Sequence, residues 1–190
     1  SNMILGIDVS TSITGFAIVA DDQLLYYDSI DLRKYKGFLA KTIAMKEKLL
    51  DLYEMYQLDN DDGPCGWDAE YPLEHIYIEE PFTFFKSGGS SAKTMAILQR
   101  FNGVVSWLAY EIFEIEPKYV GATSARKLCG IKVPRGQKAK QVVMEHLIKN
   151  EPAFKVEYTI HGNPKPECYD RADAIIVAKA GNELEKKPDE

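Results

Sequence analysis

The hydrophobic pattern opens with Met3-Ile4-Leu5-Gly6-Ile7-Asp8-Val9, almost wholly apolar and carrying one carboxylate. A short continuous apolar run bounded by turn residues predicts a central buried strand. Ser10-Thr11-Ser12 supply a turn, and Ile13 to Val19 predicts a second strand antiparallel to the first. Asp21-Asp22 make a hairpin turn before a third strand, Gln23 to Ile30. Phe38 to Tyr56 predicts a helix, with Leu39, Ile43, Leu49, Leu50, Tyr53 and Tyr56 at helical spacing. His75 to Glu80 predicts a fourth strand stopped by Pro81. A long helix is expected from Ser91 to Phe113, its apolar stripe formed by Ile97, Phe101, Val104, Val105, Leu108 and Ile112.

The second half is more broken. Lys118 to Gly121 predicts a short fifth strand, and Thr123 or Ser124 is expected to cap a short helix through Leu128. Gln137 to Lys149 predicts a helix with Val142, Val143, Leu147 and Ile148 inward. Glu151 to Cys168 holds three prolines with little periodicity and reads as loop. Tyr169 to Ala180 predicts the last helix, and a charged tail, 182–190, follows Gly181. Leu58 to Glu74 is acidic, rich in turn residues and free of a Ca²⁺-loop pattern, hence a surface loop. Ser1-Asn2, ahead of Met3, read as a remnant outside the fold, which leaves 3–181 as a single domain.

Composition narrows the class. A chain of 190 residues with 45% apolar and 27% charged residues suits one globular domain with a sizeable core. No apolar run reaches the length of a membrane span, and the N-terminus lacks the pattern of a signal peptide. Cys65, Cys129 and Cys168 are odd in number and widely spaced, which fits neither a disulfide framework nor a zinc site and suits the reducing cytoplasm. The net charge is −6, yet Pro117 to Met144 has no acid and carries Lys118, Arg126, Lys127, Lys132, Arg135, Lys138 and Lys140. That stretch carries +7 and leaves −13 for the remainder. A local basic stretch on an acidic protein is either a solvated face or an electrostatic footprint for phosphate.

The carboxylates bear on function. A buried carboxylate needs a partner. Asp8 either accepts hydrogen bonds from the turn hydroxyls and amides, or belongs to a set of acids meeting at one end of the sheet. Glu79 and Glu80 end the fourth strand and face opposite sides, so only one can join Asp8. Asp170 and Asp173 share one face near the start of the last helix. The helix dipole is a sufficient reason for acids in a first turn. The flanking Ala172 and Ala174, by contrast, suit a helix laid tightly over a sheet. Four converging carboxylates repel unless a cation holds them, and oxygen ligands without His or Cys select Mg²⁺ or Mn²⁺. A pair of such ions, about 3.5–4 Å apart, activates water and steadies the leaving oxygen of a phosphodiester.

These residues resemble the RuvC-type Holliday junction resolvases of the ribonuclease H-like superfamily. Ile4 to Asp8 followed by Thr14-Gly15 is similar to that family's first two strands, Ile78-Glu79-Glu80 to its Ile-Glu-Gln strand end, and Asp170-Arg171-Ala172-Asp173-Ala174 to its closing helix. The resemblance selects Glu79 over Glu80. It implies an α/β fold with a five-stranded mixed sheet, three antiparallel strands then two parallel ones, flanked by helices. It implies a homodimer formed through the Ser91–Phe113 helix, two Mg²⁺ ions per site held by Asp8, Glu79, Asp170 and Asp173, and paired nicking of Holliday junctions, forks or flaps.

Further roles follow from the same resemblance. Phe82 stands where the family places an aromatic wedge, although a core Phe is the alternative. Lys138 and Lys140 both fit the basic residue at the scissile phosphate, with Lys140 preferred. Lys86, Arg126, Lys127, Lys132 and Arg135 are the remaining DNA-contact candidates. The long loops and the acidic balance suit a phage-encoded or divergent member, in the cytoplasm of a bacterial or phage-infected cell. An actin-like or sugar-kinase-type ATP-binding domain is the rival. It would use Gly6, Asp8, Ser10 and Thr11 as a phosphate turn, but it needs a second half-domain that 190 residues do not supply.

Overall fold

The computed structural model describes residues 2–56, 72–81 and 91–186. Five strands form one sheet: β1 (Met3–Asp8), β2 (Ile13–Ala20), β3 (Gln23–Asp31), β4 (His75–Glu79) and β5 (Lys118–Val120). Their order is β3-β2-β1-β4-β5, with β1 antiparallel to β2, β2 antiparallel to β3, and β4 and β5 parallel to β1. This is the mixed sheet expected from the sequence. Because β2 reverses the direction of β1 and β3 reverses it again, the ends of β1, β3, β4 and β5 share one edge of the sheet. The β1–β2 turn lies on that edge too.

The helices are α1 (Phe38–Tyr56), α2 (Ala92–Phe113), α3 (Ala122–Leu128), α4 (Ala139–Asn150) and α5 (Pro166–Glu185). They cover both faces. Met3, Leu5 and Ile7 point to a core shared with α1 and α2, where Met45, Leu49, Phe101 and Val105 are buried. Ile4 points the other way, to a core shared with α3, α4 and α5 that contains Ala174, Ile175 and Ala178. Burial on both faces explains why β1 reads as a continuous apolar run rather than an alternating one.

The backbone of α5 lies against the sheet. A Cβ added to Gly6 would stand 2.5 Å from the Ala178 nitrogen, and one added to Gly15 would stand 2.1 Å from the Asp170 carbonyl oxygen. Small residues on both sides permit this approach, since Ala172, Ala174 and Ala178 are all buried. The far end of α5 is tied down by Asn182, whose side-chain amide donates to the Asp22 carboxylate at 2.6 Å. Asp21 and Asp22 both have positive φ, 50° and 67°, as a two-residue hairpin turn with right-handed strand twist requires.

Several expectations need correction. Leu39 and Ile43 are 74% and 59% exposed, and Leu50 is also exposed. The buried face of α1 is Ala44, Met45, Leu49, Leu52 and Tyr56, a stripe that counting the large apolar residues misplaces. Ile148 is likewise exposed on α4, where Val143, Met144 and Leu147 turn inward. Gly121 precedes α3 with no side-chain cap, so neither Thr123 nor Ser124 plays that part. α5 starts at Pro166 and runs through Gly181 to Glu185. Proline at the first helical position loses no intrahelical bond, and Gly181 is accommodated because the Tyr77 ring would be 2.5 Å from any Cβ there.

Candidate active site

The acids meet at the edge where the strands end. In β1, Asp8 has the parity of Ile4 and Gly6, so it faces α5. In β4, Tyr77 faces the α5 core while Ile76 and Ile78 face α1 and α2. Glu79 therefore shares the side of Asp8, and Glu80 is exposed on the other. The parallel register pairs Gly6 with Tyr77 and Ile7 with Ile78, which brings Asp8 beside Glu79. α5 then adds Asp170 and Asp173 from its second turn. The helix begins at Pro166, so these acids stand deeper in α5 than the first turn, where only Glu167 serves the dipole.

Their electrostatics record the convergence. Burial pushes the Asp8 carboxyl well above its usual range, and the charges of Glu79, Asp173 and Asp170 push it further. Asp8 and Glu79 share a side-chain hydrogen bond that raises the former and lowers the latter. Glu79 is itself raised by burial, against the pull of Asp8 and of Arg126. Asp170 is pushed up to about 7, mainly by burial, with Arg33 and Lys140 opposing. Asp173 is pushed up to about 7 by burial and by the charges of Glu79 and Asp170.

The turn hydroxyls serve the turn. Thr14 Oγ1 accepts from the Ser10 amide at 3.1 Å and donates to the Ser10 carbonyl at 2.7 Å, while Ser10 and Ser12 hydroxyls bond each other at 2.9 Å. Asp8 thus has its neighbours among carboxylates rather than among these hydroxyls.

The donor chemistry suits a hard divalent cation, because four carboxylates from three elements face one another and burial raises the pKa of each, with mutual repulsion adding to Asp8 and Asp173. Among the described residues, no group of three or more Asp, Glu, His or Cys side chains stands in a ready coordination sphere. The Asp8–Glu79 hydrogen bond draws two of the acids to each other instead.

Cations rim the acids. Arg126 of α3 acts on both Glu79 and Asp173, and its Nη2 lies 3.3 Å from Thr123 Oγ1. A cavity of about 440 Å³ beside it is lined by Thr123, Arg126, Lys127 and Lys132. Lys140 acts on Asp170 and lies over the Tyr169 ring, 5.1 Å from its centroid. Lys138 is the residue preceding α4 and, like Lys127, Lys132 and Arg135, is exposed. Lys118 belongs elsewhere: it begins β5 at the opposite edge and pairs with Glu185 at 2.6 Å. Phe82 and Lys86, with Cys65 and most of the acidic 58–74 loop, lie outside the described residues.

Sequence reasoning missed two contributors. Asn102 of α2 is buried, and its amide donates to the Glu79 carbonyl at 3.1 Å. Ser106 Oγ donates to the Asn102 carbonyl at 2.7 Å. A polar pair within an otherwise apolar helix stripe was the available signal. Arg33 follows β3 and reaches the field of Asp170, and the cluster Arg33-Lys34-Tyr35-Lys36 was legible as basic. Its nearness to the acids depends on where β3 ends.

No family model and no curated protein sequence matches the chain. Solved structures do match. A Thermus thermophilus RuvC in complex with Holliday junction substrate aligns with a TM-score of 0.62 at 13% identity, over 97% of this chain and 94% of that one. A second Thermus thermophilus RuvC structure gives 0.60 at 17% identity, over 96% and 94%. The yeast mitochondrial Holliday junction resolvase Ydc2 gives 0.53 at 13% identity, over 95% of this chain and 77% of that one. The alignments run through the whole sheet and its helices, so the chain has the RuvC form of the ribonuclease H-like fold.

Proposed function

We propose that the protein is a divalent-metal-dependent endonuclease that cuts phosphodiesters of branched DNA, four-way junctions among them. The observation that supports this reading is the meeting of Asp8, Glu79, Asp170 and Asp173 at one edge of a sheet built as in RuvC, one of whose solved structures carries Holliday junction substrate. Oxygen-only donors suit Mg²⁺, with Mn²⁺ as substitute. Asp8 and Glu79 from the paired central strands, with Asp170 and Asp173 from α5, would hold the cations. Two bound ions would activate water and stabilise the leaving oxygen.

The chain's own cations do the rest. Lys140, beside Asp170, holds the scissile phosphate. Arg126 stands at the Glu79 and Asp173 side, and Lys127, Lys132, Arg135 and Lys138 hold backbone phosphates farther out, where counterion release supplies affinity. Paired nicks on a near-symmetric junction call for two sites related by a two-fold axis. α2 is the face for a second copy. Phe101 and Val105 are sequestered in the core, so the pairing surface is the outer stripe with Gly103, Trp107 and Tyr110, of which Trp107 is 58% exposed.

The test is Asp8→Asn, which keeps shape and removes charge. Cleavage of a four-way junction in Mg²⁺ is expected to fall by several orders of magnitude, while junction binding at fixed salt persists or tightens. A folded variant, checked by circular dichroism, that nicks at near wild-type rate would remove Asp8 from the chemistry and the nuclease reading with it.

A further inference from the structure

Arg126, Lys127 and Lys132, among the cations assigned to DNA, stand on or just after α3, which directly follows β5. A second group lies on the β3 side. β3 ends at Asp31, and the chain turns through Leu32, Arg33, Lys34, Tyr35 and Lys36 before α1. This turn is anchored. Leu32 is fully buried, its amide donates to the Ser12 carbonyl at 2.7 Å, and the Tyr35 amide donates to the Leu32 carbonyl at 3.1 Å. Lys41, one turn into α1, donates to the Thr11 carbonyl at 2.6 Å. The β3–α1 turn is thus fastened to the β1–β2 turn, at the sheet edge that carries Asp8.

Arg33 is held in place within it. Nε and Nη2 donate to the two Asp31 carboxylate oxygens at 2.9 and 2.7 Å, and among the described residues no partner takes Nη1. The guanidinium, more than half exposed, also lies in the field of Asp170 and Glu167 on α5. Lys34 and Lys36 are exposed, and Asp31 is the acid within the turn itself. A paired carboxylate that orients an arginine and leaves one amino group outward gives a preorganised donor for a phosphate oxygen.

We propose that Arg33, Lys34 and Lys36 form a second DNA-backbone contact, on the opposite side of the scissile phosphate from α3. Sheet geometry sets the scale. Strands lie about 4.8 Å apart, so the β3 end stands roughly 10–14 Å from the acids at the ends of β1 and β4. With about 3.4 Å of helix axis per nucleotide of one strand, that reach is about three to four nucleotides from the cut. From β3 to β5 the edge spans roughly 19 Å, or five to six nucleotides, with the acids between the two basic flanks. A duplex arm laid along this edge meets positive charge before and after the cleaved bond. That placement holds the bond over the acids although the protein is acidic overall, at −6.

This inference rests on the nuclease reading, and its test separates the two. The background is the full chain carrying Asp8→Asn, which leaves the DNA uncut. Binding to a four-way junction is titrated from 50 to 200 mM salt, with and without Arg33→Gln, Lys34→Gln and Lys36→Gln together. All three side chains are on the surface, and thermal unfolding checks the fold. The triple variant is expected to bind roughly tenfold or more weakly, with the slope of log K against log salt smaller in magnitude by about two to three. Location is read with junctions carrying one neutral methylphosphonate two to four nucleotides from the cut, on either side. The Asp8→Asn parent should lose affinity for both. The triple variant should ignore the substitution on one side and remain sensitive on the other, a coupling that general loss of positive charge cannot produce. An unchanged slope, or equal sensitivity to both modified junctions, overturns the second contact and leaves the nuclease reading standing. A folded parent that binds no branched DNA overturns both.

Discussion

Gly15→Ala tests how the site is assembled. The change adds one methyl group in β2, and that carbon would lie 2.1 Å from the Asp170 carbonyl oxygen, 2.7 Å from the Asp170 carbonyl carbon and 3.1 Å from the Ala174 Cβ. Non-bonded atoms of this kind settle at about 3.5 Å or more, so the gap must open by more than about 1 Å. Neither side yields readily. Gly15 lies in a strand paired with Asp8 on one side and Ser29 on the other, and the opposing atoms are helix backbone. α5 must therefore lift or bend at the residue that carries Asp170. Overpacking of this kind costs about 1–3 kcal/mol, which in a chain of this size lowers the melting temperature by roughly 2–12 °C. A displacement of about 1 Å at a positioned group costs on the order of 100-fold in rate. Thermal unfolding and junction cleavage in Mg²⁺ measure the two effects. Gly121→Ala is the control, because no atom lies within 4 Å of an added Cβ and its φ of −71° is open to any residue. There the same chemical change meets no clash, and its cost should stay near the roughly 0.5–1 kcal/mol of a lost helix-capping preference. A Gly15→Ala protein with wild-type melting temperature and cleavage rate would refute the tight docking of α5 as the device that sets Asp170.

Other outcomes follow from the same structure. Asn102→Ala strands the Glu79 carbonyl and leaves Ser106 without its neighbour's amide, so it should cost about 1–3 kcal/mol and slow cleavage, measured by denaturant unfolding and single-turnover rates. Metal-free protein should lose stability as pH rises from about 4 to about 7. Asp170 and Asp173 hold protons in the fold up to about 7, whereas in the unfolded chain they release them near 3.8. Melting temperatures in EDTA should therefore fall between pH 5 and pH 8, and Mg²⁺ should restore stability at pH 8; a flat profile would contradict the burial of Asp170 and Asp173. Trp107→Glu puts a charge on the exposed face of α2 and should convert a dimer to monomer in sedimentation at tens of micromolar, with loss of paired nicking. A wild-type chain that sediments as a monomer and still resolves junctions would sink the two-fold arrangement.

Much of this protein is set by short-range pattern. The apolar run of β1, the Asp21-Asp22 turn and the strand stopped at Pro81 are decided by residues near in sequence, so strands and their order of appearance are legible without the fold. The acids were legible as candidates for the same reason, since Asp8 and Glu79 end strand patterns and Asp170 and Asp173 share one face of a helix pattern. Tertiary structure decided which candidates meet. The choice of Glu79 over Glu80 depends on the register that pairs Gly6 with Tyr77, a relation between strands some seventy residues apart. The buried stripe of α1 depends on which side α2 covers, so Leu39 and Ile43 face outward despite their apolar side chains. The true start of α5, the support of Glu79 by Asn102 and the arrival of Arg33 beside Asp170 follow from packing against the sheet edge. Propensity acts over a few residues, whereas register, face and edge come from burying two apolar surfaces of one sheet at once, and only the folded chain expresses that constraint.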